Sequence, residues 1–218
     1  MIRFEVFDDA AALAERAAAA IQEAAATAVG ARGGFAWAIS GGSTPLETFR
    51  RLSLPWDRTA SFQVDERVAP AGDPDRNLTS ARAALPPGAV ATLRPMPVEE
   101  PDLDGAAEAY AAELPERLDL VHLGLGDDGH TASLVPGDAV LDVRDRDVGV
   151  TSEYHGHRRM TLTYPPIDRA LAVVWIVDGE SKADALAKLL DRDPSVPAGR
   201  VATEDQLVLA DRAAAASG

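Results

Sequence analysis

The sequence predicts an α/β fold in which a mostly parallel β-sheet is covered by helices on both faces. Short apolar runs typical of buried strands alternate along the chain with longer stretches typical of helices. Hydrophobic residues make up 46% of the 218 residues, which is enough for one large core. No internal repeat is visible, so we expect a single domain spanning residues 1–218.

The first half of the chain predicts successive strand and helix pairs. Residues 3–7 alternate like a strand, and the alanine-rich stretch 10–28 predicts a helix because alanine is the best helix former. Asp8 or Asp9 is the expected N-cap, and the glycines at 30, 33 and 34 are expected to end this helix. The elements that follow are a strand at 35–39, a helix at 45–52 that starts on Pro45, a strand at 61–64, a polar loop at 65–76, a helix at 77–85, a strand at 92–96 and a helix at 103–114.

The second half begins with a strongly apolar predicted strand at 118–125, followed by a glycine-rich loop. Two linker-like segments, 86–101 and 138–147, are interpreted as surface loops between α/β units rather than as joints between domains. The remaining elements are strands at 147–151, 159–163 and 171–177, a helix at 180–190, a strand at 206–210 and a terminal helix.

The charge and composition of the chain exclude several classes of function. A net charge of −14 makes the surface repel nucleic acid and anionic membranes. The absence of cysteine excludes disulfides and cysteine-ligated metal sites. Because the sequence has no long apolar run and no apolar signal core at its N-terminus, we expect a cytoplasmic protein. An anionic ligand would need a local site built from backbone N–H groups and a few placed cations.

The first candidate motif follows the predicted strand at 35–39 and reads Ser40-Gly41-Gly42-Ser43-Thr44-Pro45. The paired glycines allow the backbone to approach a ligand closely, and Ser43 and Thr44 add hydroxyl donors. The helix that follows would present free N–H groups, which favours a phosphate or a sugar oxyanion. The motif lacks the spacing of a P-loop or of a dinucleotide fingerprint. An ordinary turn between strand and helix is the alternative.

The second motif is Asp65-Glu66-Arg67, with Asn77 downstream. A carboxylate at the end of a strand can hold sugar hydroxyls or move a proton, and Arg67 could pair with phosphate in a forked geometry. A solvated charged loop is the alternative.

The third motif, Gly126-Asp127-Asp128-Gly129-His130, follows the strand at 118–125. Histidine suits general-base work near neutral pH, and Asp128 could orient its imidazole or bind a substrate hydroxyl. The alternative is a capped turn with a surface histidine. All three motifs follow predicted strands, so they are expected to meet beyond the carboxyl ends of a parallel sheet, where such folds bind ligands.

The other candidates carry less signal. His155 and His157 form an H-x-H pair without further metal ligands nearby, which favours a polar loop. His122 lies inside an apolar strand and is interpreted as a satisfied core histidine. Arg159 is an isolated cation. Lys182 opens a helix and could reach a phosphate, although a solvated lysine is the ordinary outcome.

Taken together, the ordered motifs resemble the 6-phosphogluconolactonase family, which is grouped with glucosamine-6-phosphate deaminases and ribose-5-phosphate isomerases. Besides the segments 40–45, 65–67 and 124–137, the resemblance covers Arg159-Met-Thr-Leu-Thr163, Gly179-Glu-Ser-Lys-Ala183 and Pro197-Ala-Gly-Arg200. It implies a Rossmann-like, mostly parallel sheet flanked by helices, of the deaminase and isomerase type. It also implies hydrolysis of a phosphorylated sugar lactone of the pentose phosphate pathway, with no organic cofactor and no required metal.

The resemblance further implies roles for individual residues. His130 would act as general base on the attacking water, and Asp128 would hold or polarise groups near it. The phosphate and sugar oxygens would be bound by the remaining candidates, which are Ser40, Gly41, Gly42, Ser43, Thr44, Asp65, Arg67, Asn77, Arg159 and Lys182. A monomer is expected, with a dimer as the open alternative.

Two alternative functions stay open at the level of sequence. The deaminases share the Asp-Gly-His core but continue to an Asn-Glu-Pro segment, whereas Leu134-Val135-Pro136 stands here without the glutamate. Non-catalytic sugar-phosphate sensors need a DNA-binding segment, which an acidic chain that begins with its first strand does not suggest. The sequence departs from the usual family pattern at Arg76, Val135 and Asp168.

Overall fold

Two β-sheets organise residues 1–216, the part of the chain that the computed structural model describes. The strands are β1 (Ile2–Phe7), β2 (Phe35–Ile39), β3 (Thr59–Gln63), β4 (Asp65–Arg67), β5 (Leu93–Arg94), β6 (Leu120–Leu123), β7 (Val148–Val150), β8 (Arg159–Leu162), β9 (Val173–Val177) and β10 (Gln206–Asp211). The α-helices are α1 (Ala10–Arg32), α2 (Leu46–Arg50), α3 (Asn77–Ala84), α4 (Pro87–Thr92), α5 (Leu103–Glu113), α6 (Tyr164–Asp168) and α7 (Ala183–Leu190). Short 3-10 helices lie at Trp56–Arg58, Ala139–Asp142, Glu180–Lys182 and Ala198–Arg200.

The larger sheet has seven strands in the order β1-β10-β9-β6-β2-β3-β5, and every neighbouring pair is parallel. This confirms the predicted mostly parallel sheet. The smaller sheet, β4-β8-β7, is antiparallel and was not predicted. Its strand β4 follows β3 closely in the chain and carries Asp65 and Arg67 to the site described below, and its strand β8 carries Arg159 there.

Both faces of the larger sheet are buried, which explains the continuous apolar runs of its central strands. In β9, Val173, Trp175 and Val177 enter one core cluster, while Val174 and Ile176 enter the other. The indole N–H of Trp175 donates to the side chain of Gln206 at 3.0 Å, so this buried polar group is satisfied.

Helix α1 begins and ends as the sequence indicates. The Asp9 carboxylate accepts hydrogen bonds from the backbone N–H of Ala11 at 3.0 Å and of Ala12 at 2.9 Å, which identifies Asp9 rather than Asp8 as the N-cap. Gly33 ends the helix in a left-handed conformation with φ of 80°, a geometry that glycine adopts without steric cost.

Several predicted elements differ from the structure. Residues 65–67, predicted as loop, form β4, because their polar side chains find buried partners that an apolar pattern does not announce. The predicted linker 86–101 contains α4, which starts on Pro87, and the predicted strand 92–96 shrinks to the two residues of β5. The predicted helix at 45–52 is shortened to α2, for which Pro45 is the N-cap.

The predicted terminal helix is wrong over residues 212–215, which form a turn. The Asp211 carboxylate accepts the backbone N–H of Ala214 at 2.7 Å, and this local bond competes with helix continuation. The rest of that prediction, at 217–218, lies outside the described residues. Within residues 1–216, no helix is both long and apolar enough to cross a membrane.

Candidate active site

The three candidate loops meet around one cleft at the carboxyl ends of the central strands. The cleft has a volume of about 320 Å³. Its lining includes His130 and all ten candidate binding residues, namely Ser40, Gly41, Gly42, Ser43, Thr44, Asp65, Arg67, Asn77, Arg159 and Lys182. Asp128 does not line the cleft, but its carboxylate contacts the imidazole of His130. Parallel topology explains the convergence, since each loop follows the same end of a neighbouring strand.

His130 is held in one orientation by Asp128. Its Nδ1 lies 2.6 Å from Oδ1 of Asp128, and its backbone N–H donates to the same oxygen at 3.0 Å. Burial alone would raise the pKa of Asp128, but the hydrogen bonds from His130 and from Tyr154 outweigh it and hold this pKa below its usual range. When the Asp128 carboxylate accepts a proton from Nδ1, Nε2 is the imidazole nitrogen that can act as a base.

Tyr154, which the sequence did not single out, supports the other side of Asp128. Its hydroxyl donates to Oδ2 of Asp128 at 2.9 Å, and its ring lies edge-on to His130 with 5.7 Å between ring centroids. Burial and the neighbouring carboxylate raise the pKa of Tyr154 to about 12, so the hydroxyl remains a donor at neutral pH. Tyr154 precedes His155, whose φ is 50°, and Gly156, whose φ is 79°, in a tight hairpin that aims the ring at Asp128.

Tyr154→Phe should lower kcat by roughly two- to tenfold with little change in KM, since a single hydrogen bond contributes about 0.5–1.5 kcal/mol. The loss would come from looser orientation of Asp128 and therefore of the imidazole. Steady-state kinetics would measure it. Tyr164→Phe is the matched control, because the Tyr164 hydroxyl donates to the Pro197 carbonyl at 2.9 Å and does not line the cleft. An equal kcat loss in both variants would contradict a specific role for Tyr154.

Glycine is required at two points where the loops meet side chains. A Cβ on Gly126 would lie 2.1 Å from Nδ1 of His130, so the imidazole packs directly on this backbone. A Cβ on Gly41 would lie 2.2 Å from Oδ1 of Asn77. The loop from Ser40 is further fixed by the hydrogen bond from its backbone N–H to Nδ1 of His122 at 3.2 Å. Thr44 donates to Asp178, which also lines the cleft.

Three cations line the cleft although the chain is acidic, and the carboxylates of Asp65 and Asp178 line it as well. Arg159 is almost fully buried, and its Nε has no hydrogen-bond partner among residues 1–216. Burial lowers its pKa, while the nearby Asp65 carboxylate opposes this shift. Arg67 anchors itself by donating to the Asp75 carbonyl at 2.6 Å. Together with Lys182 at the far side of the loops, these groups can neutralise an anion.

Asp65 is the buried acid of the site. It accepts hydrogen bonds from the Asn77 side chain at 3.0 Å and from the Ser133 hydroxyl at 2.6 Å. Burial raises its pKa above the usual carboxylate value, and the Ser133 hydroxyl and Arg159 oppose the rise. Asp65 therefore fixes the Asn77 side chain at the cleft, and its charge acts on the nearby Arg159.

Glu66 stabilises the start of the helix that carries Asn77 to the site. Its fully buried carboxylate accepts the backbone N–H groups of Asn77 at 2.7 Å and Leu78 at 2.9 Å, and thereby holds the start of α3. Arg76, one of the departures from the family pattern, is also buried and lies 3.2 Å from this carboxylate and 2.6 Å from Glu99. The arginine compensates the buried negative charge.

Glu66→Gln should lower the free energy of unfolding by about 3–5 kcal/mol, because it breaks a buried ion pair and leaves Arg76 undercompensated. Chemical denaturation would measure the change. Glu99→Gln is the matched control, because it removes the other carboxylate that contacts Arg76. The Glu99 side chain is 55% exposed, so this change should lower the free energy of unfolding by under about 1 kcal/mol. Equal effects would contradict the importance of burial.

The remaining histidines lie outside the cleft lining. His122 is buried, and burial lowers its pKa to about 3, so the ring is neutral. Only one of its nitrogens is satisfied, because Nε2 lacks a partner among the described residues. His157 lies 3.2 Å from Asp75 through Nε2. Within residues 1–216, no group of three or more His, Asp or Glu side chains could hold a metal ion.

Sequence reasoning missed Tyr154, Ser133 and Asp178 as residues that act on the site. Ser133 belongs to a quoted motif but had no assigned partner, and Asp178 directly precedes the quoted segment 179–183 without being part of it. The end of β9 was the available signal, since residues after parallel strands gather at one edge.

Comparison with known proteins identifies the family of the chain. A family model described as glucosamine-6-phosphate isomerases/6-phosphogluconolactonase matches residues 8–209. The chain belongs to this family. The 6-phosphogluconolactonase of Synechocystis is 36% identical over 90% of this chain and 89% of its own length. That of Mycobacterium tuberculosis is 36% identical over 97% of this chain and 96% of its own length.

Solved structures share the fold across both branches of the family. A 6-phosphogluconolactonase from Shewanella baltica has a TM-score of 0.85 at 27% identity, covering 97% of this chain and 98% of that one. A monomeric glucosamine-6-phosphate deaminase has a TM-score of 0.86 at 18% identity, covering 98% and 99%. The fold alone therefore does not separate the two reactions, and the site residues must.

Proposed function

We propose that the chain is a 6-phosphogluconolactonase, a carboxylic ester hydrolase that opens 6-phospho-D-glucono-1,5-lactone with water. The observation that carries this proposal is His130, which is oriented by Asp128 and lines a cleft that also holds three cations. The curated relatives at 36% identity carry the same name. Leu134 and Val135, both buried and apolar, supply no carboxylate where a deaminase would need one.

The proposed mechanism begins with a water held by Nε2 of His130. As the water oxygen bonds to C1, its proton passes to Nε2, and the imidazolium is stabilised by the Asp128 carboxylate. Backbone N–H groups of the glycine-rich loops, or a cleft cation, stabilise the oxyanion on C1. The bond between C1 and the ring oxygen then breaks, the ring oxygen takes the proton from His130, and the acid product ionises.

The 6-phosphate is assigned to the cations and the loop from Ser40. The paired glycines expose backbone N–H groups, and Ser43 and Thr44 add hydroxyls. Because α2 has only five residues, the loop and the cations must supply most of the attraction, rather than a helix dipole. Arg67, Arg159 and Lys182 are the candidates that supply positive charge. Holding the phosphate positions C1 near His130, which is where most of the rate gain arises.

The residues assigned here to catalysis and binding do not require a second copy of the chain, so the proposed mechanism applies to a monomer. The cysteine-free sequence fits the reducing cytoplasm, which is the proposed location.

The test is a direct assay of three substrates. Fresh 6-phosphogluconolactone, generated with glucose-6-phosphate dehydrogenase, should disappear much faster with the protein than without it. Unphosphorylated gluconolactone should be a far poorer substrate, because it lacks the group that the cations bind. Glucosamine 6-phosphate should release no ammonia. Lactone loss at the background rate would overturn the proposal, and ammonia release would indicate a deaminase.

A further inference from the structure

The outer edge of β1 is free to pair with another strand. Within residues 1–216, β1 is the terminal strand of the larger sheet and pairs only with β10. The carbonyls of Met1 and Phe7 accept from Gln206 at 3.2 Å and Arg212 at 2.9 Å, so the odd-numbered residues of β1 face β10. Because backbone groups alternate along a strand, Ile2, Phe4 and Val6 present their N–H and C=O groups to the free edge.

Two of these three residues, Phe4 and Val6, are exposed apolar side chains, whereas Ile2 is partly buried against the core. Phe4 is 41% exposed and Val6 is 45% exposed, whereas their neighbours across the ladder, Val208 and Ala210, are fully buried. The layer that covers this face of the sheet reaches Ile2 but leaves Phe4 and Val6 partly open to solvent. Edge strands are often protected from pairing by proline, a bulge or charged residues. β1 has no proline and shows six residues of regular register with β10, and its two charged residues, Arg3 and Glu5, are of opposite sign.

We propose that β1 pairs antiparallel with β1 of a second copy of this chain, about a two-fold axis at Phe4. In such a pair, the residues whose backbone N–H and C=O groups point to the free edge must lie opposite each other. For Ile2, Phe4 and Val6 this condition leaves three closely related registers. With Phe4 opposite Phe4, Arg3 lies opposite Glu5 of the partner and Ile2 opposite Val6. The registers shifted to either side place Arg3 opposite Arg3, or Glu5 opposite Glu5. Only the central register joins opposite charges in both halves.

The existing ion pairs extend this charge pattern. Arg3 contacts Asp205 at 3.0 Å, and Glu5 contacts Arg16 at 3.0 Å, on the face of the sheet that α1 covers. Adding the Arg3–Glu5 contact across the axis joins these pairs into a chain of alternating sign, and the two-fold axis repeats it. The arrangement is self-complementary, as a two-fold homodimer requires. A partner without this sequence would not supply the matched charges.

The dimer leaves the candidate active site unchanged. The cleft lies at the carboxyl ends of the central strands, and β1 is separated from β6 by β10 and β9. A short strand pairing buries less surface than a standard interface, so the association should be concentration-dependent.

Sedimentation velocity over a range of concentrations tests the assembly. The wild-type chain should shift towards the dimer as its concentration rises, and Phe4→Lys, which places two ammonium groups at the axis, should remain monomeric. Leu171→Lys is the matched control, because Leu171 is 40% exposed but does not belong to β1. It should dimerise like the wild type. Lactone hydrolysis at the wild-type rate would show that both variants are folded.

Cross-linking tests the register, since the chain contains no cysteine of its own. Phe4→Cys should form a covalent dimer with a short bis-maleimide, because residue 4 faces its own copy. Ile2→Cys and Leu171→Cys should not, because these positions lie far from their copies. A wild-type chain that stays monomeric at every concentration, a Phe4→Lys variant that still dimerises, or equal cross-linking of all three variants would overturn the proposal.

Discussion

His130→Ala should lower kcat/KM for the phosphorylated lactone by about 10²–10⁴-fold, which is the contribution of a positioned general base. In the proposed mechanism the imidazole takes the proton from water through Nε2, because Nδ1 is engaged by Asp128. The effect should fall on kcat, since the cations and the loop from Ser40 still bind the substrate. Progress curves with freshly made lactone, corrected for spontaneous opening, would measure it.

Asp128→Asn separates orientation from basicity. The amide cannot hold the imidazolium by charge, so a large loss of kcat with intact folding is expected, although smaller than that of His130→Ala. A His130→Ala variant with near wild-type turnover would show that another group activates the water. Retained activity in both variants would contradict the roles of His130 as general base and of Asp128 as the residue that positions it.

The sequence predicts the position of the site because parallel topology is simple. Once strands at 35–39, 61–64 and 118–125 alternate with helices, their following loops must share one edge. The loops at Ser40, Asp65 and Gly126 indeed line one cleft. The strand signals were strong because these strands are buried on both faces and read as continuous apolar runs.

The antiparallel sheet was not predictable in the same way. β4 consists of Asp65, Glu66 and Arg67, and no periodicity of apolar residues marks it as a strand. Its stability comes from long-range partners, such as the Ser133 hydroxyl on Asp65 and the ladder with β8. Contacts between residues far apart in sequence leave no local pattern, so propensity arguments cannot find them.

Tyr154 illustrates the same limit within the site. It lies in a hairpin, 26 positions after the carboxylate to which its hydroxyl donates. Nothing in the stretch Ser152-Glu153-Tyr154 distinguishes it from a surface loop. Arg76 differs in kind, because its departure from the family pattern was visible, but its role required knowing that Glu66 is buried.

Gly126→Ala should remove most of the activity without unfolding the protein. The new methyl group would lie 2.1 Å from Nδ1 and 2.3 Å from Cε1 of His130, so the ring must swing away and lose its contact with Asp128. The backbone of Gly126 does not have a positive φ, so alanine introduces no conformational strain there. The loss should approach that of His130→Ala, and kcat measurements would detect it.

Gly124→Ala provides the comparison within the same loop. A Cβ at Gly124 meets only the Ser40 hydroxyl, at 3.9 Å, which is an ordinary contact. This variant should therefore lose much less activity than Gly126→Ala, although both add one methyl group to the cleft lining. The difference isolates the effect on the imidazole, since volume, loop and residue type are matched. Equal losses would mean that the cleft tolerates no added bulk, and that the displacement of His130 is not the cause.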